Sequence, residues 1–478
     1  MNKHLILQKS FFQALFQKVT IVALFAFILA SCSKSKPDAP QKSNLKELLN
    51  VEITKKDNPG YTQDGFVFRK NDMVYVTVPM GADMSKVKMD LKISPKATAT
   101  FDGKPIPNLT GIFDLTETKK IIVYSESGSL RIYHILAQPG IKEFDELIYD
   151  FKEKFSIPGV SIAISKTATS EIVYKSGIGH SDETTLLRTK PNHLFRLASV
   201  SKQFTSIATM KLIQQGKLTV DSKVFGPEGI LKDDYSDISP LATKVTIRQL
   251  LDHTTGWTSN PDPMFTSSFS GQSLAERIRY VLKSPQNEPG TKYSYFNMGF
   301  GMLDKVIEKV SGKKYEVFLK EVLAEAGITD VHVGKDRAGR RANEVVYYSQ
   351  DGYNGYGNPM DVIAAAGGII ASTEQLLKLQ FYIDGLKNIP DILTPEIRNL
   401  MLTSSGSNTY ALGWRMNHPL FPGAWYHGGN LAGTAAFWVM GPEFNTVILC
   451  NSRSYISGFD NELYYISEKM IKHAATIF

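Results

Sequence analysis

Cysteine is the scarcest residue here: 478 residues carry only Cys32 and Cys450. Two thiols close at most one bridge, so the chain is no disulfide-stapled scaffold and depends on a buried core, for which its length is ample. Several motifs are also missing. The sequence has no Gly-x-Ser-x-Gly elbow, no His-Glu-x-x-His, no Walker loop and no paired Cys-x-x-Cys, so elbow-type hydrolases, zinc peptidases, P-loop enzymes and dithiol oxidoreductases leave no signature in it. The one long apolar run, Val19 to Ala30, is shorter than the roughly 20 residues a spanning helix needs. Charge of one sign is also limited. Of the net +7, three charges sit on Lys3, Lys9 and Lys18, with no acid among residues 1–31. The remainder is too small and dispersed to suggest a nucleic-acid partner.

The basic start, the apolar run and Leu29-Ala30-Ser31-Cys32-Ser33 together resemble a bacterial lipoprotein signal. The resemblance implies that residues 1–31 are a signal peptide. It also implies lipid on Cys32 and a chain tied to a membrane of the cell envelope. Cys450, within the apolar run Val447-Ile448-Leu449-Cys450, is then the only thiol left and reads as core. Residues 32–44, rich in Ser, Lys, Pro and Gln, read as a flexible tether. Residues 45–137 carry short alternating runs such as Met73-Val74-Tyr75-Val76-Thr77-Val78 between Gly, Pro, Asn and Asp turns, which predicts a small all-β sandwich. Val76 to Asp83, Ile93-Ser94-Pro95 and Leu130 to Ile135 resemble the immunoglobulin-like modules of bacterial surface lipoproteins. The module holds no catalytic cluster and reads as a spacer.

Gln138-Pro139-Gly140 marks a boundary, after which Ile141, Phe144, Ile148, Phe151 and Phe155 recur at helical spacing and open a second domain over residues 141–478. Runs at its start (Gly159 to Ile164, Glu171 to Tyr174) and near its end (Tyr410 to Met416, Trp425 to Gly428, Thr434 to Met440, Thr446 to Asn451) read as strands. A terminal helix lies near Asn461 to Thr476. Strands from both ends then complete one antiparallel sheet, with the middle of the domain helical and a cleft between them. The Asp330 to Pro359 stretch reads as a loop.

Within that domain, Ser199-Val200-Ser201-Lys202 places a hydroxyl and an amine one turn apart at the start of an apolar helix continuing through Phe204, Ile207, Ala208 and Leu212. Burial there lowers a lysine pKa, leaving an amine able to take the serine proton. The same spacing begins at Ser31, Ser33, Ser43, Ser85 and Ser311, but none of these opens a long apolar helix. Tyr295-Phe296-Asn297 leads into another helix, and His427-Gly428-Gly429 lies on a strand.

Ser199-x-x-Lys202, Tyr295-x-Asn297 and His427-Gly428-Gly429 together resemble the β-lactamase-related serine hydrolases, which include penicillin-binding proteins, class C β-lactamases, D-aminopeptidases and esterases. The likeness runs from Ile141 to Phe478 and takes in Leu250-Leu251-Asp252-His253-Thr254-Thr255-Gly256 and Ala366-Gly367-Gly368. It implies an α/β (α+β) fold of the serine β-lactamase/transpeptidase type: an antiparallel sheet flanked by helices, plus a helical subdomain. It also implies Ser199 as acylated nucleophile, Lys202 as general base and Tyr295 as proton donor to the leaving group, given cations that lower its pKa. Asn297 would orient substrate and lysine. The N–H groups of Ser199 and Asn430 would form an oxyanion hole, with Gly428 and Gly429 admitting substrate close to the strand.

The resemblance also makes His427 a catalytic group, standing where many relatives have lysine, which implies assistance from a side chain titrating near neutrality and poor β-lactam hydrolysis. His253 reads as a structural histidine. The expected activity is hydrolysis of a small amide or ester, such as a D-amino-acid peptide, through an acyl-enzyme without metal or cofactor. A second class is a catalytically weak protein that binds peptidoglycan fragments. If Cys32 is lipidated, intact-mass measurement of the mature chain will find the lipid there, and Cys32→Ala will move the protein from the membrane to the soluble fraction. A mature chain beginning elsewhere would refute this.

Overall fold

The computed structural model describes residues 41–258, 262–284, 286–350, 352–404 and 409–478. The expected signal peptide and Cys32 lie outside these residues. At the end of the expected tether, Ser43 already donates its N–H to Glu126 (3.0 Å).

Residues 48–140 form two facing sheets. One has three strands, Leu48–Glu52, Val87–Ile93 and Thr110–Phe113. The other has six, in the order Phe66–Lys70, Met73–Pro79, Leu130–Gly140, Lys119–Tyr124, Thr98–Phe101, Lys104–Pro105. Val74, Val76 and Val78 alternate into the core between them, meeting Met89, Val123 and Ile135. This is the period of two that the sequence shows.

The second region is built on a seven-stranded antiparallel sheet: Leu187–Arg188, Glu171–Asp182, Gly159–Lys166, Phe444–Cys450, Thr434–Met440, Trp425–Leu431, Arg415–Met416. Its central strands come from the two ends of the domain, as expected. Their sequences are near-continuous apolar runs because both faces are covered. The helices Lys142–Lys154 and Phe459–Ile477 pack on one face through Phe144, Ile148, Phe151, Leu463 and Ile466. The large helical core lies on the other, with the buried helix Ser201–Gln214 at its centre. Cys450 is buried, as read.

Three local expectations change. Tyr410 to Met416 is mostly loop, with strand only at Arg415–Met416, because Gly413 turns the chain at φ +94°. In the Asp330 to Pro359 stretch, Val345 and Tyr347 are buried, for Arg196 donates from inside the fold to the Gly355 (2.5 Å) and Lys335 (2.8 Å) carbonyls. No turn forms at Gln138-Pro139-Gly140 either. The strand runs through Gly140, and the next helix starts at Lys142.

The two regions therefore share a core. Tyr75 and Leu136 of the β module pack with Phe144, Ile148 and Tyr149. Asp145, fully buried, accepts from Thr77 Oγ1 (2.6 Å), Gln138 Nε2 (3.2 Å) and the Tyr174 hydroxyl, while burial pushes its carboxyl up to about 6. Lys152 Nζ donates to Tyr75 OH at 3.0 Å. Thr77→Val removes a donor to a buried carboxylate and will lower stability by about 1–3 kcal/mol. The loss will be larger at pH 8, where Asp145 is ionised, than at pH 5, where its proton can replace the missing donor. Calorimetry will show both regions melting together; separate transitions, with the second untouched by Thr77→Val, would show them independent.

Candidate active site

Ser199 lies in a single 3-10 turn, Ala198–Val200, that runs into the helix Ser201–Gln214. Ala198 takes the left-handed φ of +47°, a strained conformation for a residue with a Cβ. Lys202 is completely buried, and its amine meets three oxygens: Ser199 Oγ at 3.2 Å, Asn297 Oδ1 at 2.8 Å and the Ala366 carbonyl at 2.7 Å. Burial lowers its pKa to about 7, with Arg415 pushing the same way and Asp262 opposing. A neutral amine has two protons and one lone pair. The two shorter contacts take the protons, which leaves the lone pair for the Ser199 hydroxyl.

Asn297 opens the helix Asn297–Ser311. Its Nδ2 donates to Asp262 Oδ2 at 2.8 Å, and since a carboxylate only accepts, Oδ1 must face the lysine. Burial lifts the Asp262 carboxyl above its usual range, against the bonds it receives from Asn297 and the Met264 N–H.

Tyr295 donates to Ser199 Oγ at 2.9 Å. The cation-lowered pKa expected of it is not found. Burial raises the phenol well above its ordinary value, outweighing the Ser199 bond and the Arg415 charge, so Tyr295 is a neutral donor. Lys202 Nζ and the Arg415 guanidinium both lie over its ring, 4.9 and 5.5 Å from the centroid.

His427 also departs from expectation. It is buried, and burial with the nearby Arg415 and Lys202 charges drives its pKa well below 6.5. Nδ1 lies 2.7 Å from the Gly428 carbonyl, which can only accept, so Nδ1 carries the proton and Nε2 accepts from Tyr410 OH at 3.0 Å. A neutral imidazole with both nitrogens engaged replaces the titrating one.

The two glycines differ in purpose. A Cβ on Gly429 would lie 2.2 Å from the Leu197 carbonyl and 3.1 Å from the Ser199 nitrogen, so this glycine lets the strand reach the turn that carries Ser199. Gly428 faces Phe437 and Tyr464 with nothing nearer than 3.7 Å. Asn430 comes next, with an exposed side chain.

Ser199, Lys202, Tyr295, Asn297, His427 and Gly429 thus converge. Sequence reasoning missed Asp262, Tyr410 and Arg415. Asp262 stands between two prolines, a turn signal that does not reveal its contact 35 residues away. Arg415 is one of 54 basic residues with no motif to single it out.

Residues 144–467 match the Beta-lactamase family. The chain belongs to that family. Its fold is thus that of the beta-lactamase-type serine hydrolases. Among curated relatives, Protein flp of Staphylococcus aureus (strain COL) is 25% identical over 334 residues, 66% of this chain and 63% of that protein; the chain thus spans under two thirds of its length. Among solved structures, the octameric penicillin-binding protein homologue from Pyrococcus abyssi is similar at 24% identity and TM-score 0.57, over 70% of this chain and 77% of that one. D-amino acid amidase from Ochrobactrum anthropi SV3 is similar at 21% and TM-score 0.57, over 70% and 98%.

In this beta-lactamase-family chain, Gly429→Ala will force the Trp425–Leu431 strand off the Ser199 turn. Such overpacking costs about 1–3 kcal/mol, and labelling of Ser199 by a fluorophosphonate will slow by about tenfold or more. Gly428→Ala will label within about twofold of wild type, since its new methyl fits at van der Waals distance. Equal rates for the two variants would refute the close approach.

Proposed function

We propose that the chain is a membrane-tethered serine hydrolase that works through an acyl-enzyme on a small amide or ester, with a D-amino-acid peptide as the favoured substrate. The observation that carries this reading is the buried amine of Lys202, poised at about pKa 7 with Ser199 Oγ at 3.2 Å. Such an amine is half neutral at neutral pH and takes a proton where a solvated lysine does not.

In the proposed reaction, Ser199 Oγ attacks the carbonyl carbon while its proton passes to Lys202 Nζ. The oxyanion of the tetrahedral intermediate rests on the N–H groups of Ser199 and Asn430. Collapse breaks the bond to the leaving amine or alcohol, which takes the proton from Lys202 through the Tyr295 hydroxyl, 2.9 Å from Ser199 Oγ. Tyr295 gives one proton as it receives another, so its high pKa is no obstacle. Water then attacks the acyl-enzyme with the same groups in reverse. His427, neutral and held by Tyr410, supports the wall of the site rather than moving a proton.

Arg415 supports the choice of substrate. Among the described residues its guanidinium has no carboxylate partner, yet it lies over the rings of Tyr295 (5.5 Å) and Tyr410 (5.7 Å). A cation over the Tyr295 ring suits a substrate bearing a free carboxylate, as a peptide does and a neutral ester does not. The similarity to D-amino acid amidase makes D-configured amides a reasonable first panel. Lipid on Cys32 would place the site in the cell envelope.

A fluorophosphonate will label Ser199, as tryptic mass spectrometry will show, and Lys202→Ala will slow labelling by about 10²–10⁴. The rate will fall as pH drops through about 7, where Lys202 gains its proton, and level off above it. D-peptides ending in a free carboxylate will be turned over faster than their amides. Binding of peptidoglycan fragments without any Ser199 adduct would favour the binding-protein reading instead.

A further inference from the structure

Among the described residues the Tyr295 hydroxyl bonds only to Ser199 Oγ, so its height above the nucleophile is set from the other end of the side chain, by the backbone and by what lies under the ring. Both lead to His253, which the proposed chemistry does not use.

His253 comes after the short helix Ile247–Leu251 and is fully buried. Its carbonyl accepts the Ser294 N–H at 2.8 Å, and its ring Nδ1 accepts the Phe296 N–H at 3.0 Å. One residue thus holds the N–H groups of both chain neighbours of Tyr295. Its ring also packs against the Tyr295 ring, 4.3 Å between centroids, with Tyr410 at 4.8 Å and Phe300 at 5.4 Å closing the box. To make the carbonyl and ring bonds together, His253 takes a left-handed φ of +61°, uncommon for a residue with a Cβ.

An N–H donor fixes the tautomer. Nδ1 must offer its lone pair to Phe296, so the proton is on Nε2, and a protonated ring would set one N–H against another. Burial is the main force keeping the ring neutral, the charges of Lys202 and Arg415 act the same way, and the other groups facing it, His427, Tyr293, Tyr295, Tyr410 and Phe300, carry no charge. Among the described residues buried Nε2 has no hydrogen-bond partner, so there the side chain's one polar bond is the one to Phe296.

We infer that His253 is a positioning residue for Tyr295: its Nδ1 and carbonyl clamp the Ser294-Tyr295-Phe296 backbone, and its ring face sets the distance of the tyrosine hydroxyl from Ser199 Oγ. This rests on the acyl-enzyme reading for its effect on rate but not for its geometry. Two variants separate the clamp from mere filling. Asparagine and glycine both accept a left-handed φ, but only asparagine presents an acceptor near the place of Nδ1.

With a chromogenic substrate, kcat for His253→Gly will fall by about 10²-fold, the scale of a misplaced reacting group, while His253→Asn stays within about fivefold of wild type. In a Tyr295→Phe background, His253→Gly will cost less than about twofold more, because the hydroxyl it positions is already gone. Additive losses, or asparagine no better than glycine, would overturn the inference. Should the glycine variant fail to melt cooperatively, nitrogen NMR of the histidine-labelled wild type decides instead. His253 should show a neutral ring with unprotonated Nδ1 and no titration from pH 5 to 9; a protonated Nδ1 or a titration in that range would overturn it. If the wild type takes no acyl probe on Ser199, the proposed function fails while the NMR result still judges the clamp.

Discussion

A fully buried lysine amine governs this site. Burying an ammonium is costly, and the fold answers by surrounding Lys202 Nζ with three oxygens: Ser199 in the turn just before its own helix, and, from far along the chain, Asn297 at the start of another helix and Ala366 in the short helix Ala364–Gly367. Each is held by something else. The Ser201–Gln214 helix is buried through Leu212, the Ser201 hydroxyl accepts the Ile369 N–H next to the Ala366 turn, and Asp262 dictates which end of the Asn297 amide faces inward. Altering any of these segments changes the amine's balance between its two protonation states.

The same burial decides the state of its neighbours. Tyr295 is pushed up, while His253 and His427 are pushed down, so all three are neutral across the physiological range. Their hydrogen bonds then run in one direction each: Tyr295 to Ser199, Phe296 to His253, Tyr410 to His427. A buried network whose donors and acceptors are assigned without ambiguity is rigid in the way preorganised catalysis needs. Arg415 alone among these neighbours keeps its charge.

The β module belongs to the same mechanical unit. Asp145 takes donors from Thr77 and Gln138 on one side and Tyr174 on the other, and a Cβ at Gly140 would lie 2.1 Å from its carboxylate. The junction is therefore close-packed backbone against side chain, and the helix Lys142–Lys154 that it orients covers the sheet carrying His427 and Gly429.

Much of the site was legible in the chain because it is written in short-range spacing. A serine and lysine one helical turn apart, a tyrosine two residues before an asparagine that opens a helix, and a histidine before paired glycines in a strand are local patterns, as are the apolar runs that became the central sheet. The tertiary structure decided the rest. Asp262 and Arg415 carry no local mark, Gly429 proved to face the turn of Ser199, and the β module shares a core with the rest. Protonation was out of reach for the same reason: the sequence supplies the titratable groups, but desolvation and the neighbours that set their charge come from residues tens or hundreds of positions away.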